Sequence, residues 1–269
     1  MQRKNLSPYL FLSFVLLATM ACSLGASAAS TPAALPVAPA PAGMPSEPSV
    51  EPDGATVTSG CDNPYFPAVL NASWTYKSTG TSKGEFLFTD VVKEVREDGF
   101  TISSDFGYAT KVNDWSCTPE GLRVYETGED DSAGITVESG QFQFEAAIRN
   151  ASGVTLPAAL TPGARWTQSY EYETSGELGG TPVTSLGQVT SNNEYLGDES
   201  ITTPAGTFQA ARIRVETTEQ VQATFGGSTV TSSSQSVTIY WFVQGVGRVR
   251  SEASGSNTET TELQSYAIP

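Results

Sequence analysis

One short segment has the residue types and spacing of a catalytic motif. Gly80-Thr81-Ser82-Lys83-Gly84 matches the G-x-S-x-G pattern of a nucleophile elbow. Such an elbow follows a strand, opens a helix and depends on a histidine base. The chain contains no histidine, which excludes Ser-His-Asp and Cys-His catalysis and histidine-ligated metal sites. Because β-type sequence follows Gly84, we expect a polar hairpin loop there.

Carboxylate chemistry is the remaining enzymatic alternative, because the chain has 29 acidic residues. A glycosidase needs two carboxyl groups a fixed distance apart, which spacing in sequence does not reveal. The acidic runs Glu129-Asp130-Asp131 and Asp198-Glu199 lack the spacing of a calcium-binding loop. We therefore expect no catalytic residues, no metal, no cofactor and no enzymatic activity, with a carboxylate-based hydrolase as the exception.

The charge balance restricts the class of partner. The formal net charge is −15, and an acidic surface of this kind disfavours nucleic acid, whose phosphates require Lys and Arg. The same charge disfavours adsorption to anionic lipid headgroups. The acidity fits a soluble, self-repelling surface.

The first residues have the features of an export signal. Basic residues at 3–4 precede an apolar run from Leu10 to Ala18 that is too short to span a bilayer. Ala18-Thr19-Met20-Ala21-Cys22 resembles a lipobox, so we predict that residues 1–21 are a signal peptide and that Cys22 carries the lipid, palmitate included. The protein would then be anchored in the cell envelope, outside the cytoplasmic membrane. Ala26-Ser27-Ala28 is an alternative cleavage site that would give a secreted protein.

Residues 22–60 have the composition of a linker. Between Ser23 and Gly60 there are seven prolines, nine alanines and no aromatic residue. Such a segment cannot bury enough apolar surface to offset the entropy of ordering it. We predict a disordered, lipid-anchored tether with extended polyproline character.

The two other cysteines, Cys61 and Cys117, could form a disulfide. An oxidising envelope permits their pairing, and the long loop between them would make the bridge worth about 4 kcal/mol in the chain-entropy model. No second pair of ligands lies near either cysteine, so their spacing does not indicate a zinc site.

Residues 61–269 have the two-residue periodicity of an antiparallel β domain. Trp166 and Tyr172 share one parity, with polar residues between them, and Ile213 and Val215 alternate with charged residues. One apolar face against a core and one polar face in water is typical of antiparallel sheets. The sequence predicts an all-β fold, with a curled antiparallel sheet that is half-barrel or sandwich-like.

Several segments predict strand ends. We assign Phe86–Val95 to a strand, Thr203-Pro204-Ala205-Gly206 to a tight turn, and Gly245-Val246-Gly247 to a break between strands. We interpret Gly179-Gly180 and Gly226-Gly227 as longer polar loops. An aliphatic and proline-containing segment precedes a tryptophan twice, at Trp74 and Trp166, so the domain could consist of two related halves, 61–155 and 156–269.

Three motifs carry a resemblance to known proteins: Trp74-Thr75-Tyr76, Thr203-Pro204-Ala205-Gly206-Thr207-Phe208, and the segment Tyr240–Val249 (YWFVQGVGRV). This layout resembles a broad group of uncharacterised bacterial envelope lipoproteins. Some of them are similar to the half-barrel of the lipoprotein-carrier (Lol-type) fold, a curled sheet with an apolar concave side. The resemblance implies a fold and a location, and it carries over no catalytic residue.

Two functions fit these features. The first is a non-enzymatic envelope binding protein for a lipid-like or hydrophobic ligand. The second is a cell-surface interaction or scaffold module that binds polysaccharide or a protein partner. Aromatic side chains would serve either function, because they can line a cavity or stack on sugars. The candidate ligand-binding residues are Trp74, Tyr76, Trp166, Tyr240 and Trp241.

The lipid anchor gives a direct prediction. We expect the wild-type protein to partition into the detergent phase when cells are extracted, and Cys22→Ala to partition into the aqueous phase, because the substitution removes the acylated sulfur. The measurement is the share of protein in each phase. The anchor assignment is wrong if both proteins partition alike.

Overall fold

The computed structural model describes residues 61, 63–81, 84–107, 109–125, 135–139, 142–178, 181–255 and 258–269. The chain divides into two units, Met1–Val50 and Glu51–Pro269, and the fold described below belongs to the second. The predicted signal peptide, Cys22 and the linker lie outside the described residues.

The described residues form fourteen β-strands. None of them belongs to a helix, so none belongs to a helix long and apolar enough to cross a membrane. The strands are β1 Ser73–Thr81, β2 Gly84–Val95, β3 Gly99–Asp105, β4 Thr110–Thr118, β5 Gly121–Arg123, β6 Ile135–Ser139, β7 Phe142–Ser152, β8 Leu156–Pro157, β9 Arg165–Leu178, β10 Thr181–Thr203, β11 Gly206–Phe225, β12 Ser228–Val243, β13 Gly247–Gly255 and β14 Glu259–Ala267.

All strands belong to one antiparallel sheet. The order is β3-β2-β1-β14-β13-β12-β11-β10-β9-β7-β6-β4-β5-β8, and β3 also pairs with β4. From β1, pairing therefore passes through β14, β13, β12, β11, β10, β9 and β7 to β6. From β6 it continues through β4, β3 and β2 back to β1. The predicted all-β, curled antiparallel sheet is confirmed. Both predicted halves supply strands to this sheet, and their common origin stays a prediction.

The predicted alternation sets the inner face of the sheet. Cross-strand pairing places Tyr172 beside Gly187, Gly187 beside Val221, and Tyr240 beside Ile213. Since the side-chain period of a strand is two, residues of the same parity continue this face along each strand. The long strands β9 to β12 therefore present continuous rows of inward side chains.

The turns agree with the sequence in most places and correct it in one. Phe86–Val95 lies within β2, and the predicted breaks fall at Pro204-Ala205 and between β12 and β13. The Gly226-Gly227 segment is a two-residue hairpin, because Phe225 pairs with Ser228, so the prediction of a longer loop is wrong there. Both glycines have positive φ, which a tight hairpin turn of the mirror-image type requires.

The segment 61–72, which precedes β1, packs against the sheet through aromatic rings. The ring of Phe66 lies 5.0 Å from that of Trp115 and 5.5 Å from those of Phe100 and Trp74. Its backbone is held at the turn between β12 and β13, where Gly245 N donates to Pro64 O over 2.8 Å. The segment is thereby fixed against the inner aromatic residues.

The predicted disulfide fixes the same segment covalently. Cys61 and Cys117 are bonded, with their Cα atoms 5.2 Å apart, and Cys117 lies in β4. The bridge therefore joins the start of the folded unit to the strand that closes the circuit of pairings.

We expect the double substitution Cys61→Ser with Cys117→Ser to lower the free energy of unfolding by about 3–4 kcal/mol, because it releases a long closed loop in the unfolded chain. Urea unfolding with and without reductant is the measurement. The reductant should shift the wild-type midpoint and leave that of the double variant unchanged. An unchanged wild-type midpoint would show that the bridge contributes nothing.

Candidate functional site: the interior cavity

The inner face of the sheet surrounds a cavity of about 290 Å³. We call it the interior cavity. Its wall includes Phe66 of segment 61–72 and residues of the strands β1–β4 and β9–β14. Part of the wall is aromatic, and these side chains are Phe66, Tyr76, Phe88, Phe106, Trp115, Tyr170, Tyr240 and Phe242.

Hydroxyl groups form a large part of the remaining wall. Ser191, Thr217 and Ser236 are cross-strand neighbours on β10, β11 and β12, and all three line the cavity. The hydroxyls of Ser191 and Thr217 are 3.1 Å apart, within hydrogen-bonding distance. This wall differs from the apolar concave side that the sequence resemblance implied, because polar and aromatic groups share the interior.

A buried carboxylate lies next to this hydroxyl row. Glu219 is 7% exposed and accepts a hydrogen bond of 2.7 Å from the hydroxyl of Tyr172. Tyr172 lies across Gly187, where a Cβ atom would fall 2.0 Å from the tyrosine ring. Gly187 therefore provides the space in which the tyrosine reaches the carboxylate. Burial, and then the hydrogen bond to Glu219, raise the pKa of Tyr172.

A second charged group of the wall is centred on Asp90. Its carboxylate accepts a hydrogen bond of 2.6 Å from Ser104 and lies 3.8 Å from the guanidinium of Arg248. The same guanidinium lies 4.7 Å from the centre of the Tyr76 ring, an arrangement that is favourable between a cation and an aromatic face. Burial raises the pKa of Tyr76, whose hydroxyl donates to Arg248 O over 2.9 Å.

A third carboxylate of the wall, Glu259, is also held by hydroxyl groups. The hydroxyl of Ser78 donates to it, and that of Thr261 lies 3.4 Å from it. Within the described residues, no group of three Asp, Glu, Cys or His side chains could hold a metal ion. The charged groups of the cavity are thus held by neighbours in the protein.

Two polar atoms of the wall have no such neighbour. Asn113 is 8% exposed, and both Asn113 and Trp115 line the cavity from β4. In the part of the chain that the structure describes, neither Asn113 Oδ1 nor Trp115 Nε1 has a hydrogen-bond partner. A buried polar atom without a partner costs about 1–3 kcal/mol, so this pair needs an explanation.

The five residues predicted from the sequence do not form one site. Tyr76 and Tyr240 line the cavity. Trp74 and Trp166 are held beside the wall, where their indole N–H groups donate to Val246 O over 2.6 Å and to Thr155 O over 3.4 Å.

Trp241 lies on the opposite face of β12 from Tyr240. Its cross-strand partners are Arg212 and Arg250, whose guanidinium groups lie 5.8 Å and 5.6 Å from its ring. The ring is 5% exposed, because these two side chains cover it. That these five aromatic residues bind a ligand remains a prediction. Of the five, only Tyr76 and Tyr240 line the cavity.

Sequence reasoning missed the polar residues of the wall. Glu219 and Asn113 have the same parity as apolar neighbours, Ile213 in β11 and Trp115 in β4. A polar residue at an inward position of an alternating strand was the signal that could have found them.

Part of the chain is similar to a known protein family. The model of a family described as DUF3108-like matches residues 171–268, which include two of the three sequence motifs named above. No curated protein matches the chain.

Three solved structures are similar to the chain. One is named as an exported protein with a YmcC-like fold from Bacteroides fragilis, at 11% identity and a TM-score of 0.40, covering 76% of this chain and 98% of that one. A second is named as a lipoprotein from Parabacteroides distasonis, at 15% identity and a TM-score of 0.37, covering 76% of this chain and 99% of that one. A third is named as the lipoprotein YmcC from Escherichia coli, at 13% identity and a TM-score of 0.35, covering 75% of this chain and 89% of that one.

The contact between Gly187 and Tyr172 gives a testable prediction. We expect Gly187→Ala to lower the free energy of unfolding by about 1–3 kcal/mol, because the new methyl group displaces the tyrosine ring. In a Tyr172→Ala background the same change should cost much less, since the methyl group then meets no ring. Urea unfolding of the four proteins measures this coupling, and equal costs in both backgrounds would contradict it.

Proposed function

We propose that this protein is a non-enzymatic binding protein of the cell envelope, anchored through Cys22, whose interior cavity takes a small amphiphilic molecule. The observation that carries the proposal is the unfilled interior of about 290 Å³. This volume is near the lower end of the range for small-molecule sites.

The mixed wall supports an amphiphilic rather than a purely hydrophobic ligand. Phe66, Phe88 and Trp115 offer aromatic surface to an apolar group, and Ser191 and Ser236 offer hydroxyl groups to a polar one. Ligand sites commonly combine an apolar lining with a few polar groups that orient the ligand. A lipid-like molecule with a polar head fits this combination.

The arrangement of the carboxylates favours binding over catalysis. Asp90, Glu219 and Glu259 lie on three separate strands, and each accepts hydrogen bonds from its own hydroxyl donors. A carboxylate-based hydrolase requires two carboxyl groups that face one bond of the substrate, one of them as the acid. Groups held by separate structural partners are better suited to shaping a wall.

The alternative, a surface module that binds polysaccharide or a protein, expects exposed aromatic rings around Tyr240 and Trp241. Tyr240 instead lines the cavity, and Trp241 is covered by Arg212 and Arg250. The interior cavity is therefore the better supported place for recognition.

Blocking the cavity tests the proposal. The full chain in a Cys22→Ala background needs no detergent, and the fluorescent amphiphile N-phenyl-1-naphthylamine serves as the probe. We expect saturable binding, and at least about tenfold weaker binding to Ser236→Trp, because the indole occupies space that the probe needs. Fluorescence titration measures both affinities.

Gln235→Trp is the matched control, because Gln235 is the exposed neighbour of Ser236 on the same strand. Its affinity should equal that of the parent protein. The proposal fails if the parent protein does not bind the probe, or if both tryptophan variants bind it as the parent does. If the probe binds as expected, mass spectrometry of small molecules extracted from the protein, after its purification from the host envelope, identifies the natural ligand.

A further inference from the structure

We infer that Asn113 and Trp115 recognise a hydroxyl-bearing, uncharged head group of the ligand. This inference rests on the proposed function and names the class of molecule that the interior cavity takes. Both residues line that cavity, and neither Asn113 Oδ1 nor Trp115 Nε1 has a partner in the described part of the chain.

The two atoms have complementary chemistry. The amide oxygen of Asn113 accepts hydrogen bonds, and the indole nitrogen of Trp115 donates one. A hydroxyl group is both donor and acceptor, so a head group with hydroxyls can satisfy both atoms. A carboxylate cannot donate to Asn113 Oδ1, and an ammonium group cannot accept from Trp115 Nε1.

Their position on β4 supports a built site. Asn113 and Trp115 are two positions apart, with one residue between them, and therefore lie on the same face of the strand. Trp115 is held in place by aromatic stacking, with ring centres 5.0 Å from Phe66 and 5.5 Å from Phe100. Asn113 lies opposite Ile102, which offers it no hydrogen bond.

The charged groups of the wall point to the same class of ligand. Glu219 is held by Tyr172 at 2.7 Å, and Asp90 is held by Ser104 at 2.6 Å. Both carboxylates therefore already have hydrogen-bond donors of the protein, whereas a hydroxylated head group would use two atoms that have no partner. The aromatic side chains of the wall can also pack on the apolar face of a sugar ring, so a glycosyl head on an alkyl chain fits both kinds of wall.

Octyl glucoside below its micellar concentration is the test ligand, and octylamine and octanoate carry the same tail with a charged head. The indole N–H signals of the ¹⁵N-labelled full chain, in the Cys22→Ala background, report on each tryptophan, and Trp115→Phe identifies the signal of Trp115. We expect octyl glucoside to shift that signal saturably. The signal of Trp241, whose Nε1 is likewise unpartnered but lies outside the cavity, should not move.

Affinity and stability are measured on the same variants. Asn113→Leu and Trp115→Phe should each weaken octyl glucoside binding about tenfold, because each removes one hydrogen bond to the ligand. In each variant the affinity for N-phenyl-1-naphthylamine should fall less than that for octyl glucoside, because this probe carries no hydroxyl group. Asn113→Leu should also not lower the melting temperature of the ligand-free protein, because it removes an unsatisfied buried polar atom. Asn192→Ala, on the exposed face of β10, is the control and should change neither affinity.

Two sets of results overturn the inference and leave the proposed function standing. In the first, N-phenyl-1-naphthylamine binds and Ser236→Trp blocks it, but octyl glucoside leaves the Trp115 signal unchanged or binds Asn113→Leu as tightly as the parent. In the second, octylamine or octanoate binds as tightly as octyl glucoside. If no probe binds at all, both the inference and the proposed function fail.

Discussion

The pairing of β3 with β4 is the constraint on which the cavity depends. It returns the succession of strand pairings to β1, and among the described residues ten strands, β1–β4 and β9–β14, supply side chains to one interior cavity. In an antiparallel sheet that ends at two edges, polar residues on either face could reach water. Once pairing returns to its start, inward polar groups must find partners inside or lose hydration.

Most inward polar groups do find such partners. The hydroxyl of Tyr172 donates a hydrogen bond to Glu219 across the space left by Gly187. The hydroxyl of Ser78, on the neighbouring strand, donates one to Glu259. The register supplies these donors at two distances: Ser104 is the direct cross-strand partner of Asp90, whereas Tyr172 of β9 reaches Glu219 of β11 across Gly187 of β10. Against this background, the two unpartnered atoms on β4 stand apart among the residues that line the cavity. The other unpartnered buried atoms of the described residues, Thr203 Oγ1, Arg212 Nε, Trp241 Nε1 and Arg250 Nε, belong to residues outside that wall. Native proteins contain few such atoms, and local costs of this kind concentrate at functional sites.

The sequence predicted the strands and the parity within each of them, because alternation depends only on neighbours along the chain. It could not predict the register between strands, since Asn113 in β4 and Ile102 in β3 become opposite only when the sheet assembles. It also could not predict the inner face from aromatic residues alone. Tyr240 and Trp241 are adjacent and both aromatic, so alternation places them on opposite faces, but only the assembled sheet decides which of the two faces the interior.

Three consecutive aromatic residues place bulk on both faces of β12, and the structure explains how the outer face accommodates Trp241. Guanidinium groups on the two adjacent strands cover the ring, and Glu199 and Glu262 in turn pair with Arg212 and Arg250. Charged side chains with long apolar stems can shield an aromatic ring and still face water. The outer face of β12 therefore needs no second layer of protein. Because adjacent residues of a strand face opposite sides of the sheet, a substitution at an inward position leaves the side chains of the outer face unchanged.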